Sequence, residues 1–152
     1  MDARPSVTVA AVIERGGQFL LVEEKDEGRI VYNQPAGHLE PFESLVQGCR
    51  REVLEESAWH FQPRELIGIY RWRKPDSASV PGVTYLRFAF CGELGEHESG
   101  RALDTGIVRA VWLRPEEMRA LRERHRSPLV LRCVEDYLAG RRYPLDALIE
   151  YA

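Results

Sequence analysis

Glu52, Glu55 and Glu56 stand at i, i+3 and i+4, a spacing that gathers their carboxylates on one stripe of a helix. Like charges so placed repel by roughly 0.2–0.5 kcal/mol per pair, so the cluster gains the chain nothing structurally. A hard divalent cation offsets that repulsion. Oxygen-only ligands suit magnesium, or manganese, better than zinc, and magnesium completes its shell with water and substrate phosphate. The triplet therefore points to phosphate chemistry, against the plainer account of a solvated acidic helix face.

The carrier is a helix from about Ser44 to Ser57, with Leu45, Cys49 and Val53 on the opposing core stripe. Backward from Glu52 come Arg51, then Glu43 after seven intervening residues, then Gly37 after five more. This register resembles the Nudix box, Gly-x5-Glu-x7-Arg-Glu-hydrophobic-x-Glu-Glu-x-Gly-hydrophobic. Gly37, Glu43, Arg51, Glu52, Val53, Glu55, Glu56 and Trp59 match it, and Ala58 stands where the motif has glycine. A left-handed cap there costs a non-glycine residue about 1 kcal/mol and bears on the aim of Glu55 and Glu56. Gly48, in mid-helix, costs about 1 kcal/mol relative to alanine and reads as close packing on the sheet.

The resemblance to Nudix hydrolases implies an α/β fold, an α/β/α sandwich around a mixed β-sheet with the box as a loop-helix-loop. It implies that Glu55 and Glu56 are metal ligands, with Glu52 a ligand or the general base. The Gly37 carbonyl would face the metal, and Arg51 would hold Glu43 or Glu52 in place. Metal ions would offset the charge of a diphosphate while a carboxylate takes the proton of the attacking water. Many members add an acid from outside the box. Asp104, before the last strand, is the candidate; Glu96 and Glu98 are the alternatives, beside no outside acid at all.

For substrate recognition, Tyr32, Trp72, Tyr85 and Phe88 are aromatics near expected strand ends on which a flat ring could stack, with core packing as the competing account. His38 could contact phosphate, Arg87 on the Leu86–Phe88 strand is a further substrate-binding candidate, and Trp59 reads as core. The run Asn33–Glu40, Trp72, Leu86–Phe88, Arg126–Val130 and the ending Gly140-x-Arg142-Tyr143-Pro144-Leu145 together resemble the NudJ subfamily of Nudix phosphatases. That resemblance implies magnesium-dependent release of orthophosphate from nucleoside tri- and diphosphates and hydroxymethylpyrimidine pyrophosphate. The alternatives are a pyrophosphohydrolase of ADP-ribose or oxidised nucleotides and a non-catalytic nucleotide sensor, the latter disfavoured by the intact box acids.

The elements that must position these groups are short. Val7 to Ile13 and Gln18 to Glu23 read as a hairpin about Gly16 and Gly17, and Glu23 to Arg29 as a polar loop. Ile30 to Gln34 is a strand broken at Pro35-Ala36-Gly37. Leu66 to Trp72, Tyr85 to Glu93 and Ile107 to Leu113 read as strands, with Lys74 to Gly82 a loop between the first two. One helix starts at Pro115 and fades over Arg122 to Arg126. Another opens at Ser127-Pro128, turns Leu129 or Val130, Cys133, Val134, Tyr137 and Leu138 inward, and stops at Gly140; the last dozen residues close the fold or reach a partner.

At 152 residues the chain suits a single domain spanning 1–152. A net charge of −3 argues against a nucleic-acid binder that neutralises many phosphates. The positive charge is almost all arginine, which reads as a compositional bias. Cys49, Cys91 and Cys133 show no metal-ligand spacing and read as buried thiols of a reducing cytoplasm. No signal peptide or membrane-length apolar run is present, so a cytoplasmic monomer or homodimer acting on a small nucleotide or pyrimidine diphosphate is expected.

Overall fold

The computed structural model describes residues 4–151. Nine strands and three α-helices follow one another as β1 (Ser6–Ala11), β2 (Glu14–Arg15), β3 (Gln18–Asp26), β4 (Arg29–Asn33), β5 (Ala36–His38), α1 (Leu45–Ser57), β6 (Trp59–Arg73), β7 (Thr84–His97), β8 (Ile107–Leu113), α2 (Pro115–Ala120), α3 (Leu129–Leu138) and β9 (Tyr143–Pro144). One sheet has the order β5-β1-β7-β6-β9, with β1 and β7 parallel and the other pairs antiparallel. In the second, β3 pairs with β2 and β4 along one edge and with β8 along the other.

Side-chain alternation shows how the layers are covered. Leu20, Leu66 and Phe90 join Cys49 and Val53 of α1 in one core cluster. Their immediate neighbours Leu21, Ile67 and Cys91 join Met118 of α2 and Val130, Cys133 and Val134 of α3 in the other. Helices thus cover both faces, the α/β/α arrangement that the resemblance implies. All three cysteines are free and buried.

Helix α1 begins with a capping box: Gln47 N–H donates to Ser44 Oγ at 3.0 Å and Ser44 N–H donates to Gln47 Oε1 at 2.8 Å. It ends at Ala58, which takes the left-handed conformation (φ 63°) despite its Cβ, with its N–H bonded to Leu54 O at 3.0 Å. The turn that glycine would make is kept, at the cost of backbone strain. Gly48 departs from expectation. A Cβ there would meet the Glu43 carboxylate at 2.8 Å and Leu39 at 3.1 Å, so the glycine makes room for the loop before the helix rather than for the sheet.

Three expected boundaries shift. The polar loop after Glu23 contracts to a Glu27-Gly28 turn, both residues at positive φ, because β3 stays paired with β4 out to Asp26 and Arg29. Instead of a break at Pro35-Ala36-Gly37, Ala36–His38 pairs with β1. Strand β6 starts at Trp59, directly after α1; its polar first half pairs with β7 through register shifts, one of them beside Pro63, where a missing N–H is tolerated. Leu138, expected inward, is 49% exposed at the end of α3. The final residues add β9 to β6, and Glu150 returns to accept the Leu45 N–H at the start of α1. No helix among the described residues is long and apolar enough to cross a membrane.

Candidate active site

Arg51 is the hub of the box. Its guanidinium grips Glu43 through two nitrogens, Nη2 to Oε1 at 2.6 Å and Nε to Oε2 at 2.8 Å. It also donates to Glu52 at 2.7 Å, Glu55 at 3.2 Å and the His38 carbonyl at 3.1 Å. The Arg51 guanidinium holds the Glu43 carboxyl below its ordinary range. Burial pushes Glu52 the other way, and the same guanidinium only partly counters it.

Gly37 has a steric reason to be glycine. A Cβ there would fall onto the Glu52 carboxylate, so this strand can pass the helix only without a side chain. Its carbonyl is placed differently from expectation. Leu39 N–H bonds to Val7 O and Ala11 N–H to Pro35 O, and Gly37 sits midway, opposite Val9. By the alternation of an antiparallel ladder, Gly37 N–H and C=O turn toward β1, whereas those of Ala36 and His38 turn to the opposite edge. Two contacts agree: Ala36 N–H donates to Glu56 Oε1 at 2.9 Å, and the His38 carbonyl accepts from Arg51.

Carboxylate oxygens of Glu52, Glu55 and Asp104 come within 4.8 Å of one another, a group able to hold a metal ion. Asp104 is brought there by its own N–H, bonded to Glu55 O at 3.0 Å past the end of α1. Burial, then the neighbouring Asp104 and Glu52 charges, raise Glu55 against the pull of Arg51. Glu56 lies outside this close group. Burial pushes its carboxyl up to about 9, and among the described residues it has no cationic partner, only the Ala36 N–H. Crowded hard-oxygen donors, with a buried acid lacking a counter-charge beside them, fit a divalent cation. Glu98 pairs instead with His60 and Arg101, and neither it nor Glu96 lines the cleft.

These groups occupy one end of a cleft of about 480 Å³. Of the substrate-contact candidates, His38, Trp72, Tyr85 and Arg87 line it, and Trp72 stacks with Tyr85, ring centroids 5.9 Å apart and planes 16° from parallel. Tyr32 does not. It is 8% exposed, donates its hydroxyl to Glu23 Oε1 at 3.1 Å, and lies beneath Arg124 in the helical core. Phe88 packs on the α1 side, one residue out of phase with Arg87, and Trp59 packs there too, edge-on to Trp112. Sequence reasoning missed Glu24, Asn33, Lys74 and Arg126 as cleft residues. The Asn33-Gln34 pair before the box was the available signal for one of them.

A mixed-sheet sandwich whose cleft is edged by this loop-helix-loop defines a Nudix domain, and the NUDIX domain family model matches residues 2–132. The chain belongs to that family and is a hydrolase of phosphorus-containing acid anhydrides, acting on a small, nucleotide-type molecule. Among named relatives it is similar to Phosphatase NudJ of Escherichia coli strain K12, 38% identical over 148 residues covering 97% of this chain and 93% of that one. A NUDIX hydrolase from Nitrosomonas europaea superposes with a TM-score of 0.91 at 56% identity, over 97% of this chain and 98% of that one. The MutT protein of Methanosarcina mazei Go1, at 20% identity and a TM-score of 0.68 over 93% of this chain and 99% of that one, shares the fold.

Proposed function

We propose that this chain, working as a single domain, is a magnesium-dependent phosphatase of nucleoside tri- and diphosphates or of hydroxymethylpyrimidine pyrophosphate, releasing orthophosphate. The observation that carries the reading is the joining, in one cleft, of the Glu52, Glu55 and Asp104 oxygens with a donor-lined, aromatic far end. The similarity to Phosphatase NudJ along almost the whole chain supports the phosphatase activity. Glu52, Glu55, Glu56 and Asp104 would hold the cation, with Glu52 also placed to take a proton from water. Magnesium, or manganese in its stead, would supply charge neutralisation of the phosphate oxygens and acidify the attacking water. Arg51 and Glu43 position the box: their two-pronged pair fixes the guanidinium that orients Glu52 and Glu55. Three buried free thiols fit a cytoplasmic setting.

The test is a substrate panel with magnesium, assaying orthophosphate directly and again after adding inorganic pyrophosphatase. Direct signal from GTP, GDP or hydroxymethylpyrimidine pyrophosphate is expected. Signal from GTP only after the second enzyme would make pyrophosphate the product and overturn the phosphatase reading. Within the same assay Asp104→Asn should lower turnover by about 10²-fold or more, as loss of a charged ligand does, while Glu98→Gln stays near wild type. The reverse order would move the outside acid to Glu98.

A further inference from the structure

Arg87 is a buried charge held without a counter-charge among the described residues. It is 6% exposed, yet among the described residues no carboxylate pairs with it. Arg51, Arg109 and Arg126 each have a glutamate partner; Arg87 has neutral acceptors only. Its Nη1 donates to Gln34 Oε1 at 2.8 Å and contacts Cys133 Sγ at 3.9 Å, and its Nη2 donates to Asn33 Oδ1 at 2.9 Å. Gln34 is itself fixed, donating Nε2 to Val130 O at 2.7 Å. A buried guanidinium without a counter-charge is costly, and the two amide acceptors and the Cys133 sulfur leave two of its five donors over. Because Asn33 turns its oxygen to Arg87, its Nδ2 is left as another donor, and both residues line the cleft.

The sheet register measures where this donor group falls. His38, Thr8, Arg87 and Tyr70 lie side by side across β5, β1, β7 and β6, and the Tyr85–Trp72 pair forms the next inward-facing row. At about 4.8 Å per strand, Arg87 stands roughly 10 Å from β5, whose outer edge faces the box carboxylates. That is about the reach of a sugar and its phosphates, and the aromatic pair beside Arg87 offers a flat apolar wall. Resting on the phosphatase reading above, we propose that Arg87 is a specificity-determining residue that, with Asn33, reads hydrogen-bond acceptors on the edge of a substrate heterocycle stacked on Trp72 and Tyr85, and that it does not clamp phosphate.

Three diphosphates separate the possibilities: inosine diphosphate, purine riboside diphosphate, which lacks the O6 carbonyl, and ribose 5-diphosphate, which has no ring. In the wild type, kcat/KM should favour inosine diphosphate over purine riboside diphosphate by about 10- to 100-fold. Arg87→Met should erase that preference through KM and lower kcat/KM for ribose 5-diphosphate far less than for inosine diphosphate; Arg87→Lys, with the charge but no planar fork, should recover little of it. An equal fall on ribose 5-diphosphate would make Arg87 a phosphate clamp, and an unaltered preference in the variants would reduce it to a tie between β7 and α3. Either result overturns the proposal, as does a wild type indifferent to O6. Should the wild type hydrolyse none of the three, nor GTP, GDP or hydroxymethylpyrimidine pyrophosphate, the phosphatase reading fails by itself. The same preference is then read without turnover, by calorimetry with inosine and purine riboside monophosphates on the wild type, and its absence there sinks the Arg87 proposal.

Discussion

Glu56→Gln should abolish most turnover, by about 10³-fold or more, and leave the fold intact. The carboxyl is buried, pushed up to about 9, and accepts a hydrogen bond from Ala36. Without a cation it is therefore protonated at neutral pH, and glutamine copies that neutral form while keeping the oxygen that Ala36 needs. What glutamine cannot do is ionise to meet a cation. The sign of the pH effect follows. A carboxyl whose folded pKa lies above its unfolded one binds its proton more tightly in the native state, so it lowers stability as pH rises from about 4.5 toward 9. The metal-free variant should lose less stability than the wild type over that window, seen in urea melts at several pH values. Near-normal kcat at saturating magnesium would remove Glu56 from the site.

The box was legible in the chain because its chemistry is local. Glu43, Arg51, Glu52, Glu55 and Glu56 are positioned by one helix and the loop before it, so residue spacing translates directly into neighbourhood. Asp104 was reachable only through its place before the last strand; the bond that delivers it, its N–H to Glu55 O, spans two elements that no spacing connects.

Faces were harder to read than elements. A one-residue difference in register exchanges core for cleft. Tyr32 looked available at a strand end, but the arginine-rich segment after α2 folds over it, with His125 bridged to Tyr32 and the Arg126 N–H bonded to its carbonyl. The same fold-over brings Arg126 to Glu24 at the cleft, a pairing of residues remote in sequence. Gly37 shows a finer version of this problem. Its lack of a side chain matters through Glu52, which the motif spacing suggests, whereas the direction of its carbonyl depends on a strand pairing where a chain break was expected.

Arg51→Met should be the most destabilising change in the site, by about 3 kcal/mol at neutral pH, the low end of the ~3–5 kcal/mol typical for stripping one partner from a buried pair. The low end applies because the Arg51 side chain is 21% exposed and water screens part of the loss. Three carboxylates accept hydrogen bonds from it and a fourth, the exposed Glu40, lies 3.7 Å away, and methionine fills the space without answering any of their charges. The penalty should shrink in acid, for two reasons of the same sign. Glu43, held below its ordinary range by Arg51, stabilises the wild type above the unfolded pKa and loses that contribution as pH falls through the folded one. Glu52, already raised by burial, rises further without the guanidinium, so the variant sheds its strain by taking up a proton. Wild-type and variant stabilities should therefore converge toward low pH in denaturant melts. A penalty independent of pH would mean that Arg51 acts through packing, and that the orientation of Glu52 and Glu55 does not depend on its charge.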